Sequence, residues 1–269
     1  MLTILTPTYN RLHTLPALYD SLRAQASREF EWLVVDDGST DGTAQWLRAR
    51  QDEEAAFPIR VVAQPNGGKH AALNAGAAAA QGDWIFIVDS DDRLTADAVE
   101  CVRAALADAE VSAGVAGVCF RKARLDGGLL GRPWSGPVPL TARPSWVGRQ
   151  VQGDLAYVFR APVMRSLPFP LVPGEKFVPE LYIWNRIADA GDIRYYLDRA
   201  IYLCEYLPDG YTRNFRSQLK SNPGGFLLFY ADQVYREPRW RDRLKALVRS
   251  LQCLAYCAAK ARSSQEKNV

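Results

Sequence analysis

The sequence predicts an α/β fold: a mostly parallel, Rossmann-like sheet flanked by helices, with a helical extension at the carboxyl end. Three observations predict it. Short runs rich in Val and Ile recur through the first 120 residues, segments of helical period lie between them, and the connections are brief. Strands that read as continuous apolar runs are buried on both faces, as parallel strands are. Alternation of strand and helix pairs such strands through right-handed crossovers, and sheets of that kind bind ligands beyond the carboxyl ends of their strands.

Ile4-Leu5, Trp32 to Val35, Ile59 to Ala63, Trp84 to Val88 and Val115 to Phe120 are the first strand candidates. Leu15, Leu18, Tyr19 and Leu22 fall on one helical face behind Thr14, a residue type that caps helices. The Ala-rich stretch Ala71 to Gln81 reads as a second helix, with Gly82 placed to end it. From Asp126 to Pro144 the composition turns to Gly, Pro and polar residues, which marks a long connection. A strand around Leu155 to Phe159, a helix from Glu180 to Ala190 ended by Gly191, and strands at Tyr195 to Leu197 and Ala200 to Tyr206 follow.

The last stretch, Arg236 to Arg262, carries eight basic and two acidic residues. Along it Trp240, Leu244, Leu247, Val248, Leu251, Leu254 and Tyr256 recur at helical spacing. Such a stripe ordinarily packs on its own domain; its alternative is to lie on an anionic bilayer, a peripheral membrane contact.

Composition excludes several classes. With 269 residues, 48 % of them apolar and 23 % charged, the chain is a globular body rather than a disordered, collagen-like or coiled-coil one. A net charge of +3 is too small to wrap nucleic acid by counterion release, so no nucleic-acid partner is expected. Five cysteines without C-x-x-C spacing suggest reduced, buried thiols rather than a disulfide framework or zinc ribbon. Met1 leads straight into Leu2-Thr3-Ile4, with no basic segment or small-residue cleavage site, and no apolar run reaches the roughly 18 residues of a membrane span. A cytoplasmic location is expected, with the inner face of the cell membrane as the alternative.

Three loops hold the chemistry-bearing residues. Asp36-Asp37-Gly38-Ser39-Thr40-Asp41 follows the second strand. Adjacent carboxylates there must accept hydrogen bonds or bind something, such as the N–H of a pyrimidine base, although the same residue types also build a capped turn. In Asp89-Ser90-Asp91-Asp92, residues 89 and 91 would point to one side of an extended chain, where their carboxylates could share a divalent cation while Ser90 faces away. A solvated turn is the alternative. Asn66-Gly67-Gly68-Lys69-His70 opens a helix, and paired glycines, a helix amino terminus and a lysine suit a phosphate; a flexible turn would use them too. His70 reads as a packed or surface imidazole more readily than as a ligand.

Taken in order, Thr6-Pro7-Thr8-Tyr9-Asn10, Val34-Val35-Asp36-Asp37-Gly38-Ser39-Thr40-Asp41, Asn66-Gly67-Gly68-Lys69 with Ala72-Leu73-Asn74-Ala75-Gly76, and Asp89-Ser90-Asp91-Asp92 resemble the family 2 glycosyltransferases of GT-A fold. The resemblance covers about the first 92 residues. It implies a nucleotide-diphosphate-sugar donor, a UDP-sugar foremost, with Mn2+ or Mg2+ as cofactor and inverting hexosyl transfer. The acceptor would be a hydroxyl of a glycan or a lipid-linked acceptor, as in bacterial cell-surface polysaccharide synthesis. It places Pro7 and Tyr9 along the nucleoside, Asp36 against the base with Asp37 beside it, Lys69 and Asn74 near ribose or diphosphate, Asp89 and Ser90 on the donor, and Asp91 on the metal.

The second half resembles the family less. Where many members carry Glu-Asp at a helix start, this chain has Pro179-Glu180, so Glu180 stands where the catalytic base would fall. A carboxylate is apt for taking the proton of an attacking hydroxyl, and equally apt as a helix amino-terminal residue. Asp154, before the second-half strand, lies where such enzymes close over the donor sugar, and a turn would use it as readily. Trp184 and Arg186 are as apt for the core and a salt bridge. The implied organisation is a nucleotide-sugar-binding half (1–120), an acceptor half (121–222) and a carboxy-terminal amphipathic segment (223–269). Two rival functions stand beside this one. A sugar nucleotidyltransferase would carry a Gly-rich, Arg-containing loop where Thr6 to Asn10 lies. A non-catalytic module would bind nucleotide-sugar or glycan and regulate a partner enzyme. Walker, G-x-G-x-x-G and nucleophile-elbow patterns are absent from the sequence.

Overall fold

The computed structural model describes residues 1–53, 56–111, 114–205 and 215–266. The strands are β1 (Leu2–Thr8), β2 (Phe30–Asp36), β3 (Ile59–Ala63), β4 (Trp84–Ile87), β5 (Arg93–Leu94), β6 (Val115–Arg124), β7 (Leu140–Thr141), β8 (Leu155–Arg160) and β9 (Asp192–Cys204). The helices are α1 (Leu15–Arg23), α2 (Thr43–Glu53), α3 (Lys69–Ala79), α4 (Ala98–Val111), α5 (Pro144–Val151), α6 (Ala161–Ser166), α7 (Leu181–Ala190), α8 (Phe215–Ser221), α9 (Pro223–Arg236) and α10 (Trp240–Glu266).

The strands form one sheet in the order β3-β2-β1-β4-β8-β6-β9-β5, with β7 paired to β9. β3, β2, β1 and β4 are mutually parallel, and β1 and β2 are buried along their whole length, including polar residues such as Thr3 and Glu31, where the Thr3 hydroxyl donates to the Glu31 carboxylate at 2.6 Å. β8 runs antiparallel to both β4 and β6, so the sheet is mixed beyond β4. Because the chain builds outward from β1 to β3 and then returns to place β4 on the other side of β1, the strand order reverses beside β1. A reversal of this kind opens a crevice at the carboxyl ends of the strands.

Several local expectations are corrected. Thr14 precedes α1, but its hydroxyl donates back to the Arg11 carbonyl at 3.3 Å and does not cap the helix. α3 ends at Ala79, followed by Ala80 with an extended backbone; Gly82 instead meets β1, where a Cβ would lie 2.7 Å from the Thr3 backbone nitrogen. The strands expected at Tyr195 to Leu197 and from Ala200 are one continuous β9, held to β6 across register shifts on either side of Arg121. Tyr206 lies outside the described residues. The connection from Asp126 contains the short β7, and Pro144 opens α5.

The chain divides into two compact units. The first, Met1–Pro168 with Trp184–Glu205, holds the whole sheet. Its core joins Ile4, Trp32, Trp84, Phe86, Val118 and Tyr202. Trp184 is a core residue, its ring tilted against that of Phe159. In the second unit, Phe169–Ile183 with Tyr206–Val269, Phe226, Leu219 and Cys253 pack together. There Glu175 accepts the backbone N–H groups of Gly224 and Gly225, both at 2.9 Å, as a carboxylate at the start of α9 should.

α10 packs through Ala246, Ser250 and Cys253, which are buried. The apolar stripe expected to pack, from Trp240 to Leu254, is exposed, while Tyr256 is half-buried. All five cysteines are free thiols, four of them buried.

Candidate active site

The carboxyl ends of β1, β2, β3 and β4 deliver the loops that carry the sequence motifs. Pro7 and Thr8 close β1 opposite Val35 and Asp36 of β2. β4 pairs with β1 only as far as Leu5, so Pro7, which has no N–H, costs no ladder bond on that side. Past β1, Asn10 takes a positive φ of 53°. Its backbone N–H donates to Ser39 Oγ at 2.9 Å and its Oδ1 accepts the Thr40 N–H at 2.8 Å, which ties the first loop to the second. Tyr9 beside it is exposed.

Asp36 is buried, and its Oδ1 accepts the Ser39 N–H at 3.0 Å. The neighbouring Thr8 Oγ1 is buried without a hydrogen-bond partner. Asp37 is also buried and turns the other way. One of its oxygens accepts from Gln64 Nε2 (2.7 Å) and the Gly67 N–H (2.8 Å), and the other accepts the Gly68 N–H (2.7 Å). The Gly67 and Gly68 amides therefore do face an anion, but it is the protein's own Asp37 rather than a phosphate. Gly68, at φ 89°, is the residue before α3, where a side chain would be strained.

α3 carries Lys69 and Asn74, with His70 buried beside them. Gly76 lets this helix press onto β1: a Cβ there would lie 2.2 Å from Leu5 Cδ1. The position of α3 delivers Lys69 Nζ to Asp89 Oδ1 at 2.5 Å.

Residues 89–92 form a turn, with the Asp92 N–H donating to the Asp89 carbonyl at 3.2 Å. The extended alternation expected for Asp89 and Asp91 is absent. Lys122 Nζ, from β6, lies 3.9 Å from both Asp89 Oδ2 and Asp92 Oδ2 and 3.7 Å from the centre of the Tyr202 ring. The Tyr202 hydroxyl accepts the Asp89 N–H at 2.8 Å. Asp92 Oδ1 accepts the Glu205 N–H at 3.1 Å. Ser90 is buried within the turn.

The three carboxylates differ electrostatically. Burial opposes ionisation of Asp89, but Lys69 and Lys122 outweigh it and hold the pKa below the usual carboxylate value. Burial and the Asp89 charge push Asp91 up, against weaker help from Arg11 and Lys69. Asp92 is pushed up to about 6 by burial, with Asp89 and Asp91 opposing Lys122. Lys122 is held above the usual lysine value because Asp89, Cys204 and Asp92 outweigh its burial.

Asp91 thus carries a charge its surroundings disfavour, and a cation would relieve it. Hard divalent ions take oxygen donors and need only one or two protein carboxylates when a diphosphate completes the set, so Asp91 fits such an ion. Among the described residues no three His, Cys, Asp or Glu side chains are grouped to hold a metal by themselves.

Hydrogen bonds and ion pairs run continuously from the Asp36-Asp37 loop through Gly68-Lys69 to Asp89. The glycosyl transferase family 2 model matches residues 3–152, more than half of the chain, a span that holds all of these residues. The chain belongs to this family. Among curated relatives, an uncharacterized glycosyltransferase of Haemophilus influenzae is 38 % identical over 93 residues, 34 % of this chain and 30 % of that protein. The undecaprenyl-phosphate 4-deoxy-4-formamido-L-arabinose transferase of Aeromonas hydrophila is 34 % identical over 94 residues, 34 % of this chain and 29 % of that one. The aligned part therefore spans less than a third of either relative. Of solved structures, S. aureus TarS 1-349 in complex with UDP-GlcNAc superimposes with a TM-score of 0.69 at 20 % identity, covering 94 % of this chain and 72 % of that one. The mannosyltransferase PcManGT from Pyrobaculum calidifontis, in complex with GDP-Man and Mn2+, gives 0.60 at 20 % identity over 97 % and 75 %. The GT-A fold implied by the motifs is thus the fold of this family 2 chain.

Two residues of the second half are expected at the site as well. Asp154 is exposed just before β8, and its charge, with those of Asp92 and Asp89, acts on the Cys204 thiol. Glu180 belongs to the second unit, where its carbonyl accepts the Ile183 N–H at 2.9 Å in the first turn leading into α7. Sequence reading missed Lys122 and Tyr202. The signal for Lys122 was the charged pair Arg121-Lys122 directly after the apolar run Val115 to Phe120, still within β6; nothing in the sequence marked Tyr202 beyond its place in a strand.

Proposed function

We propose that this chain is a metal-dependent, inverting glycosyltransferase. It moves a hexose from a nucleotide-diphosphate-sugar, a UDP-sugar foremost, to a hydroxyl of a glycan or lipid-linked acceptor in bacterial cell-surface polysaccharide synthesis. The observation that carries the reading is the Lys69–Asp89 pair beside Asp91 at the strand-order reversal, joined through Gly68 and Asp37 to the buried Asp36.

In this reading Pro7 and Tyr9 flank the nucleoside, and Asp36 with the Thr8 hydroxyl recognises base N–H and carbonyl groups. Asp37 acts indirectly, by fixing the Gly67-Gly68 loop. Lys69 and Asn74 face the ribose and diphosphate, Asp89 and Ser90 shape the donor site, Asp154 meets a sugar hydroxyl, and Asp91 holds Mn2+ or Mg2+. Bound there, the ion would supply positive charge against the departing diphosphate. Glu180 accepts the proton of the acceptor hydroxyl as it attacks the anomeric carbon, and the nucleoside diphosphate leaves from the opposite face.

The test is a panel of nucleoside-diphosphate-sugars, with and without Mn2+, read by thermal stabilisation and by release of nucleoside diphosphate. Stabilisation by one donor class together with metal-dependent release supports the enzyme. Stabilisation without release, in the presence of candidate acceptors, would favour a regulatory binding module. Pyrophosphate formation from sugar phosphate and nucleoside triphosphate would favour a nucleotidyltransferase.

A further inference from the structure

α10 has two apolar faces, and its own unit uses only one. Ala246, Ser250 and Cys253 point inward. At 100° per residue, Trp240, Leu244, Leu247, Val248, Leu251 and Leu254 form a second stripe well away from them, and each of these side chains is 45–69 % exposed. Ala255 and Ala258 continue it, and both are exposed. Six large apolar side chains in one contiguous band exceed what scattered surface residues explain.

The edge of the stripe is basic. Arg241 and Lys245 stand on one flank, with Lys245 paired to Asp242 at 2.9 Å, and Arg243 stands on the other; all three are exposed, while Arg249 turns toward the inward side and lies over the Phe215 ring. Between Arg243 and Arg262 the sequence contains no acidic residue. The Arg241 guanidinium lies over the Trp240 ring, so charge and aromatic surface are presented together. No helix among the described residues is long and apolar enough to cross a membrane.

We propose that this outer face of α10 lies on an anionic lipid bilayer, with the Trp240–Leu254 stripe in the headgroup boundary and the flanking Arg241, Arg243 and Lys245 on lipid phosphates. Charge selects this occupant over a second copy of the chain, because two copies meeting on the stripe would bring their basic flanks together. The surface lies wholly within the second unit, and the proposal goes beyond the reaction proposed above without depending on it.

The full chain is sedimented with vesicles of phosphatidylcholine alone, and of phosphatidylcholine with phosphatidylglycerol in equal parts. Binding to the mixed vesicles, lost on adding salt and lost in Leu247→Glu/Leu251→Glu, is expected. Arg241→Gln, Arg243→Gln and Lys245→Gln should each weaken vesicle binding roughly five-fold, and Arg249→Gln, on the inward side, should not. The variants are first checked for wild-type helix content and melting, so that the charge series reads binding where the glutamate pair perturbs folding. No binding to mixed vesicles at low salt would overturn the proposal. So would a wild-type dimer that Leu247→Glu/Leu251→Glu dissociates while the wild type ignores lipid.

Discussion

Lys122 Nζ sits 3.7 Å above the centre of the Tyr202 ring, on strands β6 and β9 that pair with each other in the sheet. From that seat it faces Asp89 and Asp92, both at 3.9 Å, and so supplies part of the positive charge that keeps three acidic residues tolerable in one turn.

Replacing this lysine tests that account. Lys122→Met keeps the stem packed on Tyr202 but strands two carboxylates without their common cation. Breaking one side of a buried pair costs roughly 3–5 kcal/mol, and the long separations here put the expected loss near the lower figure. Thermal denaturation should show it, with part of the loss recovered in Lys122→Met/Asp92→Asn. An unchanged melting temperature would mean that the lysine is a bystander.

Asp37→Ala removes the acceptor for the Gly67 and Gly68 amides and for Gln64. Each amide left buried and unpaired costs about 1–3 kcal/mol. Since Lys69 follows Gly68 directly, the substitution should weaken stabilisation by nucleoside diphosphate as well as the fold. Denaturant titration with and without UDP separates the two losses.

Gly76→Ala should destabilise although alanine is the better helix former. The added methyl would lie 2.2 Å from Leu5 Cδ1, and overpacking of this kind costs about 1–3 kcal/mol against a propensity gain of at most about 1. If steric pressure on β1 is the cause, Gly76→Ala/Leu5→Val should lose less than the two single changes added together. Strict additivity in that cycle would point elsewhere.

Asp91→Ala should relieve repulsion within the turn, leave the melting temperature unchanged or raise it, and abolish metal-dependent donor turnover. Near wild-type turnover in this variant would reject the metal role.

Glu180→Gln should retain donor-induced stabilisation and lose transfer, because the amide preserves shape but accepts no proton. Transfer at the wild-type rate would move the base to another group.

The sequence by itself determined the parallel core and the family. Buried parallel strands carry apolar centres, so β1 to β4 were legible through Ile4-Leu5, Trp32 to Val35, Ile59 to Ala63 and Trp84 to Val88, and the acidic and glycine-rich loops were legible because turns at strand ends draw on few residue types. Only the tertiary structure decided what each charged group faces. Whether Gly67 and Gly68 greet a phosphate or Asp37, whether Asp89 shares a cation with Asp91 or takes Lys69 and Lys122, and which face of α10 is covered all depend on partners distant in the chain. Periodicity reports that a side chain has an apolar or a charged side; the folded packing alone sets its neighbours, and burial, charge and hydrogen bonding act through neighbours.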